Sequence, residues 1–261
     1  MLRFASQSIL HRIGSRTVSA PFAHQEALIL SFMEMKKVCK RELSPSAMVG
    51  QSQDRWAGLE QAFDIICQDL KTYDEKREVV IQRSREIQKL SKQAIFSIHR
   101  SNFSEADDRL NRAASVYEEL SPLIQEQPTL RSGSFSNSLE EYCEAVIFRQ
   151  YVKDATMIVP EDLPMVNTEE YLGGLLDFTG ELNRWAIARA TQRDVAAVQH
   201  ARDCVDTIMG CFLRLDLRNG QIRKKYDALK YTLKKLENTL YELSLGGHKD
   251  FDDIQGDDQR E

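Results

Sequence analysis

The sequence predicts an all-α protein, a single domain folded as an antiparallel bundle of about seven helices. Apolar residues recur in steps of three and four along most of the chain, the period of an amphipathic helix. No stretch alternates as a strand would, and no internal repeat of roughly 20–50 residues is present. Helix breakers are scarce: 12 glycines and 6 prolines in 261 residues, with no proline after Pro164.

The first predicted helix covers about 24–42 and ends at the Leu-Ser-Pro-Ser turn, 43–46. A long proline-free helix follows over 56–99, with Trp56, Leu59, Phe63, Ile66, Leu70, Tyr73, Val80, Ile87, Ala94 and Ile98 on one stripe. At about 1.5 Å per residue it would extend roughly 65 Å, so it must pack along other helices. Ser104 with Asp107 opens the next helix, expected to stop before Pro122. A loop over 122–137 contains SGSFSNS, the most flexible-looking part of the chain. A helix over 138–155 is separated by Pro160 and Pro164 from one starting near Thr168. Two more cover about 192–214 and 220–245, the last with a stripe of Leu229, Leu233, Leu236, Leu240 and Leu243 ended by Gly246-Gly247.

The ends differ from the body in composition. Residues 1–20 hold Arg3, Arg12 and Arg16, several serines and no acid. That composition fits a mitochondrial transit peptide, and equally a disordered N-terminus. The helical domain is expected over 21–249. The tail 250–261 has six acids against one base, Arg260, and so carries the whole net charge of −5. It is expected to be a disordered, solvated end. A globally acidic chain therefore does not exclude a polyanionic ligand. Apolar runs such as 27–30 and 65–67 fall far short of the roughly 20 residues that span a bilayer, so no membrane segment is expected. Five cysteines form no CxxC pair and are expected to be reduced core thiols; the scattered histidines give no zinc site.

Four acids stand in apolar company. Glu141 and Glu144, three apart in LEEYCEAVIF, share one helix face, and Asp177 and Glu181, four apart in LLDFTGEL, share another. A carboxylate between Leu176 and Phe178 needs a partner, a metal ion or a shifted pKa. Facing pairs of carboxylates could supply oxygen ligands for Mg²⁺ or Mn²⁺, and the absence of Glu-x-x-His argues against a diiron site. The competing reading is a set of surface acids with nearby bases, Arg184 for Glu181 and Arg149 for Glu144. Glu140, four before Glu144, competes with Glu141 as the inward residue. The basic cluster Arg223-Lys224-Lys225, with Lys230, Lys234 and Lys235, could hold phosphates or be a solvated face paired with Asp227 and Glu237.

At these residues the chain resembles the translin family, and its TRAX (translin-associated factor X) branch in particular. The resemblance runs from about Tyr73 onward through LEEYCEAVIFRQYVK (139–153), EEYLGGLLDFTGELNRWAI (169–187) and LRNGQIRKKYDALKYTLKKLENTLYELSLGG (217–247), and less specifically through REIQKLSKQAIFSIHR (85–100). It implies a translin-like fold and, in the TRAX branch, the metal-binding acids of a ribonuclease. The EYxEA motif maps onto Glu141 and Glu144, and D-x-T-G-E-L onto Asp177 and Glu181; the match selects Glu141 over Glu140. The last motif is as translin-like as TRAX-like, and the basic, histidine-containing segment with which translin binds nucleic acid has no counterpart in TLRSGSFSNS, 129–138.

What the resemblance implies for function is a Mg²⁺-dependent (or Mn²⁺-dependent) endoribonuclease subunit. Its substrates would be small or single-stranded RNA and tRNA-precursor fragments. Translin-like partner subunits in a hetero-octamer, or a homo-oligomer, belong to the same expectation, as does a cytoplasmic and nuclear location, with the mitochondrion as alternative. The competing expectation is a non-catalytic scaffold subunit that binds RNA or single-stranded DNA.

Overall fold

A computed structural model of the chain describes the backbone of residues 52–252 and the side chains of residues 56–245. The predicted helix over 24–42, the segment 1–20 and the tail beyond Asp252 lie outside the described residues. Contacts divide the chain into two units, Met1–Ile66 and Cys67–Glu261. The boundary falls inside the first described helix, α1 (Ser52–His99). In the first unit the helix leaves Trp56, Leu59, Ile65 and Ile66 exposed.

The second unit holds the rest of α1, then α2 (Phe103–Glu126), a 3₁₀ turn at Pro128–Arg131 and α3 (Ser134–Asp154). After a 3₁₀ turn at Pro160–Asp162 come α4 (Thr168–Ala190), α5 (Val195–Phe212) and α6 (Gln221–Asp252). The described residues contain six α-helices and no strand, matching the predicted class and the six helices predicted for this stretch. None of these helices is long and apolar enough to cross a membrane.

Helix α4 is the centre of the arrangement, packing against α3, α5 and α6. Helix α3 is buried around most of its circumference: Leu139, Tyr142, Cys143, Ala145, Ile147, Phe148 and Tyr151 all lie inside. A helix that is apolar all round belongs in a core, and this is why an acid in its middle is buried with it. The first three leucines of the α6 stripe, Leu229, Leu233 and Leu236, are core packing within the subunit, whereas Leu240 and Leu243 are only half-buried. On α1 the predicted positions Val80, Ile87, Ala94 and Ile98 are buried, whereas Leu70 is exposed. Periodicity marks the apolar face of a helix; it does not say what covers it.

Several boundaries differ from expectation for local reasons. Helix α2 starts at Phe103 because Asn102 accepts a hydrogen bond from the Glu105 amide and caps it, two residues before the expected start. The same helix runs through Pro122, because the apolar phase continues to the buried Ile124 and outweighs one missing backbone bond. Helix α3 begins at Ser134, inside the segment expected to be flexible. Gly133 turns the chain there with φ 80°, and Phe135 and Ser138 are buried just beyond it. Helix α6 passes through Gly246-Gly247 to Asp252, since a glycine costs a helix about 1 kcal/mol without forbidding it. Among the four described cysteines only Cys143 is buried, while Cys67 and Cys211 are exposed; all four are free thiols.

The contact between α3 and α4 is tightest at Gly173-Gly174. A Cβ at Gly174 would lie 2.7 Å from the Glu140 carbonyl oxygen, 2.8 Å from the Cys143 Cβ and 3.0 Å from the Glu144 amide nitrogen. Two of these neighbours are backbone and cannot swing away. Gly174→Ala is therefore expected to lose about 1–3 kcal/mol of stability in urea unfolding despite alanine's better helix propensity. A stabilised variant would show that the two helices can separate without cost.

Candidate metal and phosphate site

The glycine pair lets the backbone of α3 approach α4 and sets the acids of the two helices beside each other. Glu144 is at the middle of the group. It is 8% exposed, and burial pushes its carboxyl up to about 8, with Asp177, Glu141 and Glu181 each adding to the rise and Lys225 opposing it. The three acids that raise it are the other three members of the predicted quartet. Glu144 alone of the four has no ion-pair partner among the described residues.

The other three are held by cations or by histidine. Glu141 faces α1, where the Lys92 Nζ lies 3.1 Å from its Oε1 and the Gln88 Nε2 3.4 Å from the same atom. Glu181 is bonded to the His99 Nε2 at 2.5 Å, with the Arg184 Nη1 at 3.6 Å. The bond from His99 holds the Glu181 carboxyl below its usual range in spite of partial burial. Asp177 accepts a bond of 2.5 Å from Lys225 of α6, whose Nζ also donates to Glu140. Burial raises the Glu140 carboxyl while Lys225 pulls it back; the Lys225 ammonium, bonded to both acids, is raised against the opposing effect of burial.

Both inward candidates of α3 therefore take part, on opposite sides. Glu141 turns to α1, and Glu140 turns to Gly173 and the Lys225–Asp177 pair. Arg149 is not the partner of Glu144: it forms two bonds to Asp107, at 2.8 and 2.9 Å. The basic triplet of α6 is not one face either. Lys225 is turned to the acids, Arg223 is paired with Asp227 at 3.0 Å, and Lys224 is exposed. His99 and Lys225 were not legible as parts of the acid group in the sequence. The usable signal was Gly173, one helical turn before Asp177 and two before Glu181, which marks where a facing helix comes close.

All four donors are carboxylates, the ligand chemistry that suits Mg²⁺ or Mn²⁺, and the buried Glu144 lacks a counter-ion of its own. In that chemical sense the residues fit a hard divalent ion. Their present arrangement is not a preformed cage: among the described residues no three of Asp, Glu, His or Cys converge as a ligand set. The ion pairs to Lys92, His99 and Lys225 explain why, since each draws its acid toward a different neighbour.

Comparison with known proteins places the fold in a family. The translin family model matches residues 75–247. Human translin is 32% identical over 106 residues, covering 40% of this chain and 46% of that protein. The chain thus matches about half the length of such translins. The translin-associated protein X homolog of Schizosaccharomyces pombe is 28% identical over 151 residues, covering 52% of this chain and 65% of the relative. Rat translin-associated protein X is 24% identical over 227 residues, covering 71% and 78%. Among solved structures, apo-NeC3PO superposes with a TM-score of 0.64 at 24% identity, covering 69% of this chain and 96% of that one. The AfC3PO–duplex RNA complex gives a TM-score of 0.65 at 19% identity, covering 71% and 97%, and supports the fold alone. With two of its named relatives translin-associated X proteins, and with a family match across α1 to α6, this chain belongs to the translin family.

Proposed function

We propose that the chain is the catalytic, TRAX-like subunit of a complex with translin-like subunits and that it hydrolyses phosphodiester bonds in small or single-stranded RNA, tRNA-precursor fragments included. The observation that carries this reading is the buried Glu144, its carboxyl raised chiefly by burial and further by the other three acids that the TRAX motifs mark. Glu141, Glu144 and Asp177 would hold Mg²⁺ or Mn²⁺. The ion would supply Lewis-acid polarisation of the phosphodiester. Glu181, fixed by the His99 Nε2, is placed to orient a water or take its proton. Lys224, exposed on α6, is available to an RNA phosphate, and Arg223 becomes so by leaving Asp227. The named duplex RNA complex of a structural neighbour is in keeping with an RNA substrate.

Asp177→Asn combined with Glu144→Gln is expected to abolish Mg²⁺-dependent cleavage of labelled single-stranded RNA by the complex with a translin partner, while leaving the assembly intact by size-exclusion chromatography. Cleavage equal to the unmodified complex would sink the reading. A second reading, a non-catalytic RNA-binding scaffold, is favoured by one observation: Asp177 is already neutralised by Lys225. It predicts RNA binding that weakens with salt and no turnover in either Mg²⁺ or Mn²⁺.

A further inference from the structure

We infer that Lys225 is the built-in counter-cation of the acid group, holding Glu140 and Asp177 in the metal-free subunit and competing with a divalent ion for Asp177. This rests on the reading of Asp177 as a metal ligand and adds a residue that sets how tightly the metal is held.

Lys225 reaches from α6 to both acid-bearing helices. Its Nζ bonds at once to Glu140 of α3 and Asp177 of α4, so a single ammonium from α6 ties together the two helices that carry the quartet. The side chain is 30% exposed, and its two acidic partners are 25% and 32% exposed, so the bridge is only partly screened by water. It is also the cation that opposes the raised carboxyl of Glu144. Among Arg223, Lys224 and Lys225 it is the one turned inward.

An ammonium and a divalent ion cannot both hold the same lone pairs of Asp177 Oδ2. For the metal to bind there, Lys225 must leave that oxygen, and its charge repels the incoming ion as long as it stays. The bridge therefore lowers metal affinity while relieving repulsion between Glu140 and Asp177 when no metal is present. Lys225 is a positioning residue in this account: it acts through Asp177 and touches no reacting atom.

The test is Mn²⁺ binding to the full chain, followed by calorimetry and by the loss of the free-ion paramagnetic resonance signal. Lys225→Met is expected to bind Mn²⁺ about tenfold more tightly than the unmodified chain. Lys71→Met, which removes a charge from the exposed Lys71–Glu75 pair, controls for net charge and is expected to change little. Lys225→Arg, which keeps a cation on both acids, is expected to bind no more tightly than the unmodified chain. Thermal melts in EDTA and in Mn²⁺ give a second readout, with the ion raising the midpoint of Lys225→Met more than that of the unmodified chain. If the unmodified chain binds Mn²⁺ and Lys225→Met binds equally or less tightly, the counter-cation role is wrong and the metal site stands. A gain equal to that of Lys71→Met, or shared by Lys225→Arg, also overturns it. If neither the unmodified chain nor Lys225→Met binds, the metal reading itself falls and takes this inference with it.

Discussion

Arg131→Ala is expected to lower the unfolding free energy by about 3–5 kcal/mol, the cost of stripping one partner from a buried ion pair. Arg131 grips the Glu170 carboxylate from two sides, Nε to Oε1 at 3.1 Å and Nη2 to Oε2 at 2.5 Å, while Nη2 also donates to the Met165 carbonyl at 2.9 Å. Glu170 is 1% exposed, so its charge has no water to fall back on. The same carboxylate accepts from the Asn167 amide at 2.9 Å, and the Asn167 side chain accepts from the Glu170 amide at 2.8 Å, closing the cap of α4. One arginine thus anchors the turn before α3 to the first turn of α4, the helix that carries Asp177 and Glu181. Urea unfolding should show a large fall in midpoint at little change in slope. Arg131→Met with Glu170→Met removes both charges and is expected to cost less than Arg131→Ala alone. A loss below about 1 kcal/mol for Arg131→Ala would mean that the pair behaves like an exposed one.

This anchor also marks the limit of what could be read from the chain. The helices were legible because burial follows their three- and four-residue steps: Val80, Ile87, Ala94 and Ile98 on α1, Leu229, Leu233 and Leu236 on α6. The four acids stood out because carboxylates interrupt apolar helical faces, and Glu144 proves to be buried, with the other three adding to the rise of its carboxyl. What escaped was everything decided by contacts distant in sequence. Arg131 and Phe135 lie in a serine-rich stretch, yet Arg131 meets Glu170 and the Phe135 ring stacks on Tyr117 at 6.0 Å. His99 lies 82 residues from Glu181, and Lys225 lies 48 from Asp177 and 85 from Glu140. No local pattern announces such partners. The choice between Glu140 and Glu141 had the same character: both are engaged, and only the facing helices decide with whom.

Glu144→Gln is expected to stabilise the metal-free protein at pH 8 and leave it unchanged near pH 4.5. Folded Glu144 keeps its proton up to about 8, whereas the unfolded side chain loses it near its ordinary value of 4.5. Between those values the folded state binds the extra proton, so stability falls as pH rises, by up to about 1.4 kcal/mol per pH unit. Below the window both states are protonated and nothing is lost; above it the full penalty, roughly 3–5 kcal/mol, is in place. Burial is the main cause, and Asp177, Glu141 and Glu181 deepen it, with only Lys225 opposing. Glutamine keeps the shape and has no proton to lose, so its stability between pH 5 and pH 8 should lack this slope. Thermal melts of both proteins in EDTA across that range check it, and parallel curves would mean that Glu144 is not held protonated. Repeating the melts with Mg²⁺ separates structure from function. An ion that binds the quartet favours the ionised carboxylate, so it should raise the unmodified protein's stability at pH 8 more than that of Glu144→Gln.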